Sequence, residues 1–318
     1  MKIINDFLTK RLPVLIIMVA ILTYFSSVHW ETASWTPSLL LGIVIFFTGL
    51  SIEISTTKEI MRKKREVLLV TFLKWTLTVG ISVTLAYTFF YQEPEFIAGI
   101  ILSGTVPSAT AATLYTFLAG GNTILVIAAN FLDTLISPVV TTLAMMNIPG
   151  ESINIAFVDL LKSFLFIVIL PLSIGILIQL ARPQLVTYSK NLTKLGSSLS
   201  LLLIVHIIVG NGKAAIASRI DLLPLLVMVT IIQVLLPMIA AYYIARKVGM
   251  MEEDARAILF QVGLCNTALA AILAFEFIGS LGAIPPIINT IINLSAGAFI
   301  ANYFRNKDDT PEQKHLIS

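Results

Sequence analysis

Two short stretches of this chain set polar side chains and helix-breaking residues inside long apolar runs. The first reads Ser103-Gly104-Thr105-Val106-Pro107-Ser108-Ala109-Thr110-Ala111-Ala112-Thr113 and the second Gln261-Val262-Gly263-Leu264-Cys265-Asn266-Thr267-Ala268-Leu269-Ala270. Pro107 has no N–H and opposes the turn before it, so a helix kinks or opens there. Gly263 and the Asn266-Thr267 pair interrupt the second run near its middle. A helix that restarts after a break presents unpaired N–H groups and a positive dipole end, which suit a carboxylate. Thr105, Ser108, Thr110, Thr113, Asn266 and Thr267, with Asn293 further along, offer neutral hydrogen bonds around such a group. The chemistry is that of binding a small organic anion.

Two charges also stand in apolar surroundings, Lys74 and Asp133. An ionisable residue in lipid is costly and normally has a partner. Lys74 lies about eight residues, hence about 12 Å, into its helix, and Asp133 about eleven residues, hence about 16 Å, into its own from the same side. A lysine side chain spans that difference, so a buried Lys74–Asp133 pair is predicted. The competing reading extends Lys74 to the interface and hydrates Asp133. Asp159 and Lys162 are a helix-face pair at i, i+3. Glu276 is read as an interfacial anchor or a residue of the solute entrance, and Asn293 and Ser295 as cavity-lining or helix-contact residues.

Catalytic chemistry has little support. His29, His206 and His315 are far apart and Cys265 is the single cysteine, so no disulfide or cysteine-based metal cluster can form within the chain. No phosphate-binding loop pattern occurs. The basic cluster Lys58, Arg62, Lys63, Lys64 and Arg65 reads as a topology determinant, not a nucleic-acid patch. The expectation is a non-enzyme with no cofactor, no nucleic-acid partner and no obligatory protein partner.

The elements that position these residues follow from composition. Of 318 residues 57% are hydrophobic and 12% charged, with a mean hydropathy of +0.92. A soluble domain carries about a quarter charged residues, so the apolar excess faces a lipid bilayer. A span needs about 20 residues. The apolar runs 11–27, 36–54, 66–90, 95–118, 122–146, 153–181, 195–211, 222–246, 254–279 and 283–304 give ten spans, the first read as an uncleaved helix. With the N-terminus inside, seventeen lysines and arginines fall on cytoplasmic segments, and two, Lys213 and Arg219, fall outside. That asymmetry places both termini in the cytoplasm of an inner membrane. Five spans per half gives an inverted repeat, 1–151 and 152–306, with a cytoplasmic tail at 307–318. The fold class is an all-α membrane protein whose fourth and ninth spans are the interrupted ones.

Over nearly the whole chain these residues resemble the bile acid:sodium symporter family. The matching pieces are Gly42 to Leu50, Pro107 to Asn122, Ser137-Pro138, Val262 to Ala270 and Leu294-Ser295-Ala296-Gly297. The resemblance implies a core unit (66–146 and 222–304), in which broken helices four and nine cross at mid-membrane, and a panel unit (11–54 and 153–211). It implies alternating access, organic anions such as bile-acid-like sterols, pantothenate or keto acids as solutes, and Na⁺ as the usual coupling ion.

In that family two sodium sites beside the crossing use side-chain oxygens and unwound carbonyls. Carried over by position, Lys74 stands for the usual Gln, Ala112-Thr113 for Ser-Asn, Val126 and Asn130 for oxygen-bearing residues, Gln261 for Glu and Cys265 for Gln, with Asp133 one turn on. A sodium site wants hard oxygen ligands, and an ammonium only donates and repels a cation. The site bounded by Lys74 and Gln261 is therefore expected to be absent, with sodium coupling reduced or lost and a proton acting through Asp133 as the other possible coupling ion. Full sodium coupling, a channel, and a transporter-derived sensor are the alternatives. Sodium dependence and acceleration of uptake by solute on the far side separate them.

Overall fold

A computed structural model describes residues 2–26, 33, 35–51, 63–146, 148, 157–182 and 184–308. His29, His315, residues 58–62, the 151/152 repeat boundary and most of the tail lie outside them. Twelve helices carry the architecture: α1 (Lys2–Phe25), α2 (Thr36–Ser51), α3 (Lys64–Phe89), α4 (Pro94–Thr105), α5 (Thr110–Leu118), α6 (Thr123–Met145), α7 (157–181), α8 (Leu185–Asn211), α9 (Leu223–Lys247), α10 (Glu252–Gly263), α11 (Thr267–Phe277) and α12 (Ser280–Asp308).

Local chemistry sets the ends. Pro94 begins α4, where its missing N–H is no loss. The Asn122 side chain caps α6 by accepting from the Leu125 N–H at 3.2 Å. Gly120, at φ 63°, supplies the left-handed residue that turns the chain after α5. Glu252, Glu253 and Asp254 sit on the positive end of α10.

Five segments, in α3, α6, α7, α9 and α12, are long and apolar enough to cross a membrane; five shorter apolar segments lie in α1, α2, α4, α8 and α11. Large apolar side chains such as Leu68, Phe72, Leu177 and Phe299 are exposed on the outside, as a lipid-facing surface requires. The protein is a multi-pass membrane protein.

The helices pack as two groups. α2 lies against α7 and α8, and α8 against α1; the remaining eight helices pack among themselves, with α12 touching α4, α5, α9 and α11. Within the first group α2 and the later part of α7 touch backbone to backbone: a Cβ on Gly49 would meet the Leu172 carbonyl at 2.5 Å, and one on Gly175 would collide with the Phe46 carbonyl. Small residues permit this close approach in lipid-facing bundles.

The single runs 95–118 and 254–279 each prove to be two helices, and α8 begins at 185 where a span from 195 was expected. Hydropathy marks the apolar stretch, whereas a helix continues as long as its residues tolerate it. Pro138, Pro237, Pro285 and Pro286 remain inside helices. α3 and α7 each contain a π-turn, at Lys74–Thr78 and Leu165–Ile169.

Candidate solute and ion site at the helix crossing

The two breaks meet. Ser108 and Cys265 form an antiparallel bridge, the one isolated bridge among the described residues. The Ala109 N–H donates to the Leu264 carbonyl and the Asn266 N–H to the Pro107 carbonyl, both at 2.8 Å. Each opened helix thus supplies partners for the backbone groups the other has freed, which is what an interruption away from water demands. Side chains complete the pairing. Ser137 and Thr141 donate to the Thr105 carbonyl at 3.1 and 2.6 Å, Ser108 to Gln261 and Thr78 to Val262 at 2.7 Å, and Asn293 to Cys265 at 3.2 Å.

Gly263 does not serve the break through its backbone angles, because its φ is not in the left-handed region. A Cβ there would run into the Met238 side chain, so it is small to let α10 lie against α9. The chain leaves the helix one residue later, at Leu264.

Behind the bridge sits a buried charge cluster. Lys74 and Asp133 are both at 0% exposure. Lys74 Nζ lies 2.7 Å from Cys265 Sγ. Asp133 Oδ2 accepts from Gln261 Nε2 at 2.8 Å and lies 2.7 Å from Ser108 Oγ, whose single proton is shared between this carboxyl and the Gln261 carbonyl. The predicted ion pair is therefore not direct: the ammonium points to the thiol, while the carboxylate is held by a hydroxyl and an amide. The two charges act on each other across the same cluster. Complete burial also excludes the reading in which Lys74 extends to an interface. The π-turn that begins at Lys74 sets its direction, and such turns often mark functional sites. Asp133 Oδ1 and Gln261 Oε1 have no protein partner.

On one side of the crossing is a cavity of about 200 Å³. Its polar face is built from Ser108, Thr110, Asn130, Thr134, Cys265, Asn266, Thr267, Thr290 and Asn293. Its other face comes from the first helix group and is mostly apolar, through Leu12, Leu41, Val44, Ile45, Val168, Leu172, Leu201 and Ile204, with Thr48 and Ser198 as its polar members. The starts of α5 and α11 both border it, through Thr110-Ala111 and Thr267-Ala268. Thr267 and Thr290 share a hydrogen bond at 2.7 Å, and Asn266 caps α11 through the Leu269 N–H.

Of the residues expected to hold solute, Ser108, Thr110, Asn266, Thr267 and Asn293 come together here. Thr105 and Thr113 are not among the lining residues. The Thr105 hydroxyl turns back to the Ile101 carbonyl, as a threonine in a helix readily does. Thr134 and Thr290 were missed, yet each lies three or four residues from a polar partner on its own helix, Asn130 and Asn293, and so on the same face. Also missed was a second buried network, in which Asn289 donates to Gln233 Oε1 at 3.0 Å and Gln233 Nε2 donates to Ser82 and to the Ile100 carbonyl. Its signal was a lone amide, Gln233, in the run 222–246 and an asparagine, Asn289, one helical turn before Asn293 in the run 283–304.

The ion-site positions are unequal as ligands for a cation: Gln261 Oε1 and Asp133 Oδ1 are buried oxygens without a hydrogen-bond partner, but others have nothing to offer. Ala112 and Val126 are buried hydrocarbon. The carbonyls of Thr105, Pro107, Gln261, Val262, Leu264 and Cys265 already accept from protein donors. An ammonium occupies the space beside Cys265. A cation placed between Lys74 and Gln261 would meet that ammonium.

An all-helical bundle with exposed apolar sides, two helices opened against each other and a small cavity at their crossing defines a multi-pass membrane transporter. Residues 38–219 match the family model described as the sodium bile acid symporter family, and the chain belongs to that family. It is 28% identical over 306 residues to YocS of Bacillus subtilis (strain 168), described as an uncharacterized sodium-dependent transporter, across 96% of this chain and 94% of that protein. It is 23% identical over 282 residues to the probable sodium/metabolite cotransporter BASS1, chloroplastic, of Arabidopsis thaliana, across 88% of this chain and 69% of that protein. The family consists of transporters, and this chain is not an enzyme.

Proposed function

We propose that this protein is a secondary carrier of a small organic carboxylate, working by alternating access, in which a fixed ammonium replaces one coupling sodium ion. The ten apolar segments are taken as ten spans in two inverted five-span repeats, with the crossing at mid-membrane and both termini in the cytoplasm of an inner membrane. The first helix group is the panel and the eight-helix group the core.

The observation that carries the reading is Lys74, fully buried with its Nζ on Cys265 Sγ at 2.7 Å, beside a crossing whose freed carbonyls are filled by protein donors. Solute class is supported by the cavity. Two helix starts and a ring of hydroxyls and amides suit a carboxylate, while the opposite wall suits a short apolar body. At about 200 Å³ it falls below the roughly 300–1,000 Å³ typical of drug-sized ligands, which favours keto-acid-sized or pantothenate-sized solutes over a sterol. Proton coupling through Asp133 is the second reading, favoured by a carboxyl that is fully buried and makes no direct ion pair with Lys74.

The test is a thermal-shift screen of organic acids on purified protein in Na⁺ and in K⁺, followed by uptake and counterflow in vesicles with the acid that stabilises. Equal stabilisation in both salts, and uptake accelerated by solute on the far side, are expected. Uptake that rises steeply with Na⁺, with a Hill slope near two, overturns the loss of sodium coupling; absence of counterflow overturns the carrier. An imposed pH gradient that drives uptake selects the proton.

A further inference from the structure

Glu276 joins the two helix groups by side-chain hydrogen bonds. Its Oε1 accepts from Ser163 Oγ on α7 at 3.4 Å and its Oε2 from Ser38 Oγ on α2 at 3.5 Å. The rest of the seam is apolar: Leu41, Ile45, Leu160 and Phe164 belong to the same buried cluster as Leu269, Ile272 and Leu273.

On all three helices the clasp residue lies to one side of the cavity residues. On α2, Ser38 precedes the cavity residues Leu41 to Thr48; on α7, Ser163 precedes Val168 and Leu172; on α11, Thr267 and Ala268 border the cavity while Glu276 follows nine residues after Thr267. Nine residues of helix are about 14 Å. The carboxylate therefore joins the helices on one side of the cavity. A separate depression lined by Trp35, Lys162 and Phe275 reaches Glu276 from outside, so water can take over its hydrogen bonds when the clasp parts.

We propose that Glu276 is the latch of a gate. It holds core to panel at one end while the cavity is accessible on the other side, and it must release for the solute path to change sides. An apolar seam has no directional preference, so it permits sliding without fixing a stopping position; one carboxylate touching two panel helices supplies that position. Both contacts are longer than the usual O–H···O distance and therefore weak. This rests on the alternating-access reading.

Hydrogen–deuterium exchange on the purified full chain tests it, comparing Glu276→Ala and the double variant Ser38→Ala/Ser163→Ala with the unmodified protein. The latch predicts several-fold faster exchange in the segments around Ser38 and Ser163 and slower exchange in the cavity segments 44–48 and 168–172, in both variants. A part that merely stabilises the fold would speed exchange at both ends, and that result, or no change in either variant, overturns the proposal. Opposite-sign changes in a protein that binds no organic acid would leave the latch standing and remove the solute assignment.

Discussion

The interior of the eight-helix group and the seam along the four-helix group are both buried, yet they are held in opposite ways. Inside the larger group the contacts are directional. The crossing is stitched by paired backbone groups, and at the end where α10 begins, Arg256 binds the Ala119 carbonyl, Asp308 through two nitrogens, and Glu252, with its guanidinium over the Phe304 ring. Lys63 and Asn122 both reach Asp254 beside it. Along the seam the buried contacts are mostly hydrocarbon, and Glu276 adds polar contacts to Ser38 and Ser163. Directional bonds hold a part that moves as one body, and undirected contact lies where two bodies slide.

Breaking the interior should cost most. Lys74→Met leaves the buried Asp133 carboxylate without a counter-charge, for an expected loss of about 3–5 kcal/mol in detergent unfolding; adding Asp133→Asn should recover more than half, because the pair is coupled. Arg256→Ala should cost about 3 kcal/mol, the low end for a buried pair, since the Asp308 side chain is 42% exposed. Gly263→Ala forces a methyl into Met238 and should cost about 1–3 kcal/mol, with part restored by a smaller residue at 238. The seam should show the contrast: Ser163→Ala should change stability by no more than about 0.5 kcal/mol while still shifting exchange at the gate. If that serine proved as costly as Arg256, the distinction between stitched and sliding contacts would collapse.

How far the residues alone foretold this varies by site. Pro107 and Asn266-Thr267 marked both interruptions, but Pro138, Pro237, Pro285 and Pro286 look equally disruptive and do not open their helices. What distinguishes Pro107 is a partner 150-odd residues away whose own break pairs with it, and local sequence carries no sign of that. Lys74 and Asp133 were legible as charges needing company. That the company would be Cys265 for one and Ser108 with Gln261 for the other was not legible, because depth along an ideal helix says nothing of direction once a π-turn intervenes. Glu276 stood out as a carboxylate near a span end, whereas Ser38 and Ser163 are serines like any other until the fold sets them on either side of it.

The π-turn at Lys74–Thr78 has one more consequence. Each residue of a helix advances the phase by about 100°, so a turn that holds one extra puts the two ends of α3 on different angular registers. An alignment of this segment that slides by one position turns the amine at 74 by about 100° away from the crossing. Homology arguments about which members of the family keep a charge at this point should be anchored on the bulge, not on the flanking apolar letters.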